Sequence, residues 1–439
     1  MKKAVTTLMV VSLTGNIFPA VNVVAIGSLV VLYLSYQGRA SNVFGSYGPL
    51  RARQFLLAAY VYWTLSYLAT GAPLGNFFSF EFLRFDGALL IAYVPLLLLV
   101  DLRLDPTFVR RSVQLFLSIL SLVALLGLAE FVDSTLIPLG FSRLPEPLQL
   151  IHNASLATDI FHGFFRAHNA AGAIYAMATL VAFSLLVLSG RPSLLSARAV
   201  WLACSFVGMV LTQSRTAYVA FLITLVLVFF LNRAHRRNAL KFGTLILIPL
   251  LYFLLVQPAL NQRTETVSDL EDPNVVSRLF YYQRALTDFS QSPIVGTGFG
   301  RFNDDLKIYS GVPHLLYFAT SGLIVNDDAH AHNSYLHFLA EGGIAGAGLM
   351  ITVWICVYRW VSRQKRIFAS GTFGYCLANA LQACILLQFL MSMTEHMMGT
   401  AISSLAIFTL LGLFLNLVGW KYRAASLMAV LHPALEAAA

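Results

Sequence analysis

The chain has 439 residues, 58% apolar and only 11% charged, so it carries too little charge to clothe a soluble surface. Its net charge of +9 is spread in small groups between long apolar runs, which reads as a membrane-topology signal and implies no nucleic-acid partner. The four cysteines, Cys204, Cys356, Cys376 and Cys384, all lie in apolar runs and read as buried small side chains, not as disulfides or a metal cage.

Twelve runs long enough to cross a hydrocarbon core follow in chain order, at about 4–18, 20–36, 54–70, 86–101, 111–131, 170–189, 195–213, 215–232, 240–256, 334–360, 372–393 and 399–420. The first two are separated only by Asn16–Pro19, so a kinked span and a helical hairpin are both open. Met1-Lys2-Lys3 before an apolar run resembles a signal peptide, but further spans follow and no soluble domain does, so it reads as a retained span. The expected fold class is an all-α polytopic integral membrane protein with about 12 transmembrane helices. Spans 1–9 fill 1–256, with a smaller loop at 132–169. A large loop at 257–333 is too long to be structureless and is expected to be helical and packed over the membrane face. Spans 10–12 fill 334–434, and 435–439 reads as a cloning remnant.

Charge sets the expected orientation. Loops on the side of Lys2 and Lys3 hold most of the basic residues, among them Arg51, Arg53, Arg110, Arg111, Arg236, Arg237, Arg363, Lys365, Lys421 and Arg423. Loops rich in Lys and Arg stay in the cytoplasm, so both termini are expected there, and the two long loops face the other side. No nucleotide is at hand on that side, so a transferase working there needs a membrane-delivered donor.

The basic residues left on the outer side are nearly all arginine, the side chain suited to bidentate phosphate binding. In chain order, Phe164-Phe165-Arg166-Ala167-His168-Asn169 leads into a span, where Asn169 either caps the helix or helps form an anion site at its N-terminus. Arg215, in Leu211-Thr212-Gln213-Ser214-Arg215, lies between two spans with almost no loop. It either snorkels to the interface or lines a functional cavity. Arg278 and Arg284 fall on an amphipathic segment that ends in Gly296-Thr297-Gly298-Phe299-Gly300. That glycine run follows no strand and opens no helix, so it reads as a tight turn allowing close backbone approach rather than a nucleotide loop.

The most informative stretch is His330-Ala331-His332-Asn333, where the large loop meets a span, followed by Glu341-Gly342-Gly343-Ile344-Ala345-Gly346. Imidazole alone both takes and releases a proton near neutral pH, and the glycines permit close packing. Asp327 and Asp328 with the two histidines leave a divalent-cation site open, although the spacing matches no standard zinc pattern.

This ordered set resembles the O-antigen ligase / O-antigen polymerase family of bacterial envelope transferases. The resemblance is carried by Ser214-Arg215, by Ser277-Arg278 with its glycine tail, and above all by His332-Asn333, nine residues, then Gly343-Ile344-Ala345-Gly346. Motifs cover about 165–350. One departure is Val219, four positions after Arg215, where the ligase pattern often has leucine. The resemblance implies an enzyme of the bacterial inner membrane with its active site on the periplasmic face. It would transfer glycan from an undecaprenyl-diphosphate-linked O-antigen donor to lipid A–core.

A diphosphate leaving group needs charge neutralisation, and an acceptor hydroxyl needs a base. Under that reading Arg215 and Arg278 bind diphosphate and His332 is the base, with His330 as its rival. Arg166, Arg284, His168, Asn169 and Asn333 complete the candidate substrate-binding set, and no metal or other cofactor is implied. A polymerase using the same donor is the nearest alternative. A lipid or solute transporter is the alternative of another class, though inverted repeats and mid-membrane charges are not evident.

Overall fold

A computed structural model describes residues 48–71, 88–97, 103–135, 151–154, 158–163, 165, 168–189, 193–231, 236–260, 273–302, 330–399 and 401–436. The runs expected at 4–18 and 20–36, together with Arg166, Asp327 and Asp328, lie outside these residues. The described helices are α1 (Leu50–Ala69), α2 (Ala88–Leu97), α3 (Pro106–Thr135), α4 (His168–Val187), α5 (Ala197–Leu211), α6 (Arg215–Leu225), α7 (Arg236–Leu260), α8 (Pro273–Gln291), α9 (Ser334–Lys365), α10 (Phe373–Met391) and α11 (Ala401–Glu436). α6 runs on into a π turn, Val226–Phe230, and a 3₁₀ turn, Met397–Gly399, precedes α11. Among the described residues, five helical stretches are long and apolar enough to cross a membrane: Pro106–Asp133, His168–Val187, Ser334–Lys365, Phe373–Met391 and Ser403–Ser426. The molecule is a helical multi-pass membrane protein.

One departure from an all-helical reading is a short antiparallel hairpin, β1 (Ile151–Ala154) with β2 (Thr158–Phe161), in register Ile151 with Phe161 and Ala154 with Thr158. It falls in the smaller loop expected at 132–169. Phe161 packs where Gly127 of α3 leaves room, since a Cβ at Gly127 would meet the Phe161 ring at 2.2 Å.

α4 is the central post: Ala171 to Val187 are all buried, a helix apolar on every side and therefore surrounded by others. It packs on α5, α10 and α6. Gly172 permits the α4–α6 approach, because a Cβ there would lie 2.8 Å from the Ser214 side chain.

α9 is broken at Gly343, whose φ of 57° and ψ of −163° are non-helical and effectively reserved for glycine. The segment after α8 fills the break. Thr297 N–H donates to Ala340 O (2.9 Å) and Gly298 N–H to Glu341 O (3.1 Å), while Ile344 and Ala345 N–H donate to Pro293 O (2.9 Å) and Ile294 O (3.1 Å). Tyr62 of α1 closes the joint, its single hydroxyl hydrogen shared between Val295 O (2.9 Å) and Gly342 O (2.7 Å). A Cβ at Gly296 would sit 2.3 Å from the Glu341 backbone, and one at Gly342 would sit 2.4 Å from Trp63. Both glycine runs thus have a partner in each other. Part of the segment expected to be an external loop, 293–298, packs against the span itself.

Candidate functional site

The site is assembled at the start of α9. Asn333 caps that helix, its Oδ1 accepting from Tyr335 N–H (3.0 Å) and Leu336 N–H (3.1 Å), while its Nδ2 donates to Met393 O at 2.8 Å. Ser334 continues the pinning. Its N–H donates to Ser392 O (2.8 Å), its hydroxyl donates to Glu395 O (3.3 Å), and that hydroxyl accepts from Met398 N–H (3.1 Å). The short α10–α11 connection is thereby clamped against α9, and Glu395 comes to face His332.

His332 has φ +44°, a left-handed conformation that costs a non-glycine residue about 1–3 kcal/mol. The neighbours that hold it are the Tyr282 hydroxyl, which donates to its carbonyl (3.5 Å), and His330 Nδ1, which accepts its N–H (3.2 Å). Gln213 has the same strain at φ +51°, and it too directly precedes a helix cap, Ser214.

Glu395 is buried at 6% exposure and draws three other chain segments together. Its Oε1 accepts from Arg278 of α8 (2.8 Å) and from Asn169 Nδ2 of α4 (2.7 Å), and its Oε2 lies 3.4 Å from His332 Nδ1. Asn169 does not cap α4, which begins at His168; its Oδ1 accepts the Ser214 hydroxyl at 2.8 Å. Thr394 donates to Thr216 at 3.1 Å. Arg215, exposed at the first turn of α6, is therefore flanked by two residues tied to this assembly.

An imidazole that donates Nδ1–H to a carboxylate keeps its lone pair on Nε2. A guanidinium has five N–H donors, and the ion pair with Glu395 engages Arg278 through one nitrogen. The arrangement can accept a proton and bind an anion across a single carboxylate.

Of the other candidates, His168 is the first residue of α4, half-buried. Arg284 is buried on α8, with its Nε bound to Asp288 at 2.9 Å. His330 belongs to a group the sequence did not disclose as one: its ring lies 4.4 Å from His332 and 5.3 Å from His396, and His396 lies 4.2 Å from His337. His337 Nε2 is 3.5 Å from Glu341, which also accepts the Phe302 N–H at 3.2 Å. Burial first, then the neighbouring imidazoles, holds both His330 and His396 well below the ordinary imidazole value of 6.5. Among the described residues, no three His, Cys, Asp or Glu side chains converge in a geometry that would hold a metal ion.

Glu395 and His396 were missed because Ser392-Met393-Thr394-Glu395-His396 matches no motif. The available signal was an acid and an imidazole in a short connection between two spans, on the side where α9 begins.

The fold and the site define a helical multi-pass membrane protein in which an imidazole, a carboxylate and a guanidinium meet at the start of α9. Residues 199–351, about a third of the chain, match the family model described as O-antigen ligase, so the resemblance is shown over that stretch. The match includes Arg215, Arg278, Arg284, His330, His332 and Asn333, while Asn169 and Glu395 lie beyond it. A comparison with curated proteins gave no match.

Proposed function

We propose that the chain is a glycosyltransferase of the periplasmic membrane face, joining O-antigen polysaccharide from undecaprenyl diphosphate to a hydroxyl of lipid A–core without a metal. The observation that carries the reading is Glu395, with Arg278 at 2.8 Å on one oxygen and His332 at 3.4 Å on the other. The lipid-linked diphosphate binds Arg278 and Arg215, which neutralise the charge that grows as the bond from the anomeric carbon to the phosphate oxygen breaks. His332 Nε2 takes the proton of the acceptor hydroxyl as the new glycosidic bond forms, and undecaprenyl diphosphate leaves with the bonding pair. Attack from the face opposite the diphosphate inverts the anomeric centre. Glu395 holds the ring and compensates the imidazolium. Asn169 and His168 at the start of α4, Asn333 beneath His332 and the buried Arg284–Asp288 pair hold the surrounding frame, and Arg166 is kept as a further phosphate ligand.

The test is transfer by purified protein supplied with undecaprenyl-diphosphate glycan, with and without lipid A–core, for wild type and His332→Ala. Product that needs lipid A–core and drops by about 10²–10⁴ in the variant supports a ligase with His332 as base. Elongation of the glycan without lipid A–core makes the protein a polymerase. Undiminished transfer by His332→Ala removes this residue from the chemistry.

A further inference from the structure

The segment Pro293–Gly296 follows an amphipathic helix and leads into a glycine turn, which in sequence reads as external loop. Its surface is wrong for water: Ile294 is 70% exposed and Val295 54%, beside Ile344 of α9 at 61%. Three contiguous aliphatic side chains at a loop tip require a cover.

Depth supplies it. Arg359, exposed near the far end of α9, marks one membrane boundary, because a charged side chain at a span's end seeks the interface. Fifteen residues separate it from Ile344, about 22 Å at 1.5 Å per residue. The hydrocarbon core is about 30 Å thick, which leaves Ile344 about 8 Å inside the opposite boundary. The α1 side agrees. Eleven residues, about 16 Å of helix, separate exposed Arg51 from Tyr62, whose hydroxyl reaches Val295 O. Both helices set the tip below the surface of the far leaflet.

Most of the backbone at the tip is closed by protein. Inside hydrocarbon a polar backbone group without a protein partner costs several kcal/mol. The carbonyls of Pro293, Ile294 and Val295 are taken by Ile344, Ala345 and Tyr62, the N–H groups of Gly296, Thr297 and Gly298 by Ser292, Ala340 and Glu341, and proline brings no N–H. The N–H groups of Ile294 and Val295 are the two at the tip without a partner among the described residues.

We infer that Pro293–Gly296 is a re-entrant tip inserted into the acyl region of the leaflet beside the site, with Ile294 and Val295 facing lipid chains and continuing the lipid-facing strip of α9 at Ile344. The partner is the bilayer itself. The tip fixes the C-terminal end of α8 at a set depth.

Full-length Val295→Cys and Ile294→Cys, with the native cysteines replaced, are labelled with an environment-sensitive fluorophore in phosphatidylcholine nanodiscs. Quenching by doxyl-labelled lipid is compared with quenching by iodide. Ile344→Cys in the span and Leu195→Cys, 99% exposed in the α4–α5 connection, are the lipid-side and water-side references. The expected result is that positions 294 and 295 follow 344, with several-fold stronger quenching by lipid than by iodide relative to 195. Iodide quenching at 294 and 295 equal to that at 195 overturns the insertion. Shielding from both quenchers also overturns it, because the cover is then protein, either a second copy or a partner helix.

Discussion

At His332 the two ring nitrogens have different work, and Glu395 assigns it by engaging Nδ1. Glu395→Gln keeps the shape but removes the charge that balances both the imidazolium and Arg278. Its kcat should fall about tenfold or more, short of the ~10²–10⁴ loss expected for removal of the base itself. Glu395→Asp should recover part of that loss, whereas Glu395→Leu should not; steady-state transfer rates at saturating donor separate the three. Equal rates for Gln and wild type would strip Glu395 of any part in the chemistry. The sequence pointed to His332 because its spacing to Gly343 and Gly346 is a motif. It was silent on Glu395, whose partners Asn169 and Arg278 lie 226 and 117 positions away and meet it only through tertiary packing.

At the scale of elements, the runs at 111–131, 170–189, 334–360, 372–393 and 399–420 were legible as spans, and the interruption in one of them was not. The apolar run at 170–189 became α4, His168–Val187, because some twenty predominantly apolar residues leave a helix as the only satisfied backbone in lipid. The break in α9 was hidden for the opposite reason. Gly342-Gly343 announces close approach without saying of what, and the partner segment lies some 45 positions upstream. Gly343→Ala should destabilise the protein by at least about 2 kcal/mol, since a Cβ adds strain at φ +57° and would meet the Ile294 backbone at 2.4 Å. Gly348→Ala, on the same helix with nothing within 4 Å, should instead stabilise it by about 0.5–1 kcal/mol. Thermal melts of the two variants in detergent should move in opposite directions. Two equal shifts would mean that the break at Gly343 does not exist in solution.

For the whole molecule, the imidazole group behind the site predicts acid sensitivity. His330 and His396 are held neutral in the folded state well below 6.5, while in the unfolded chain they take up protons near 6.5. Below that pH the unfolded state binds more protons, so their contribution to stability is fully present above about 6.5 and is lost as the pH falls. Melting temperature should drop between pH 7.5 and pH 5, and His396→Gln should flatten the drop; an unchanged slope would mean that His396 is protonated without cost. The joint at the break in α9 has a mechanical consequence for the same assembly. α8 is anchored at its C-terminal end and packed along α9 through Tyr281 and Ala285, and thirteen residues from Arg278 to Gln291 make an arm of about 20 Å. A tilt of about 10° would move the guanidinium about 3–4 Å, so the packing of Tyr281 and Ala285 against Ala331 and Ala340 is what keeps Arg278 at the Glu395 carboxylate.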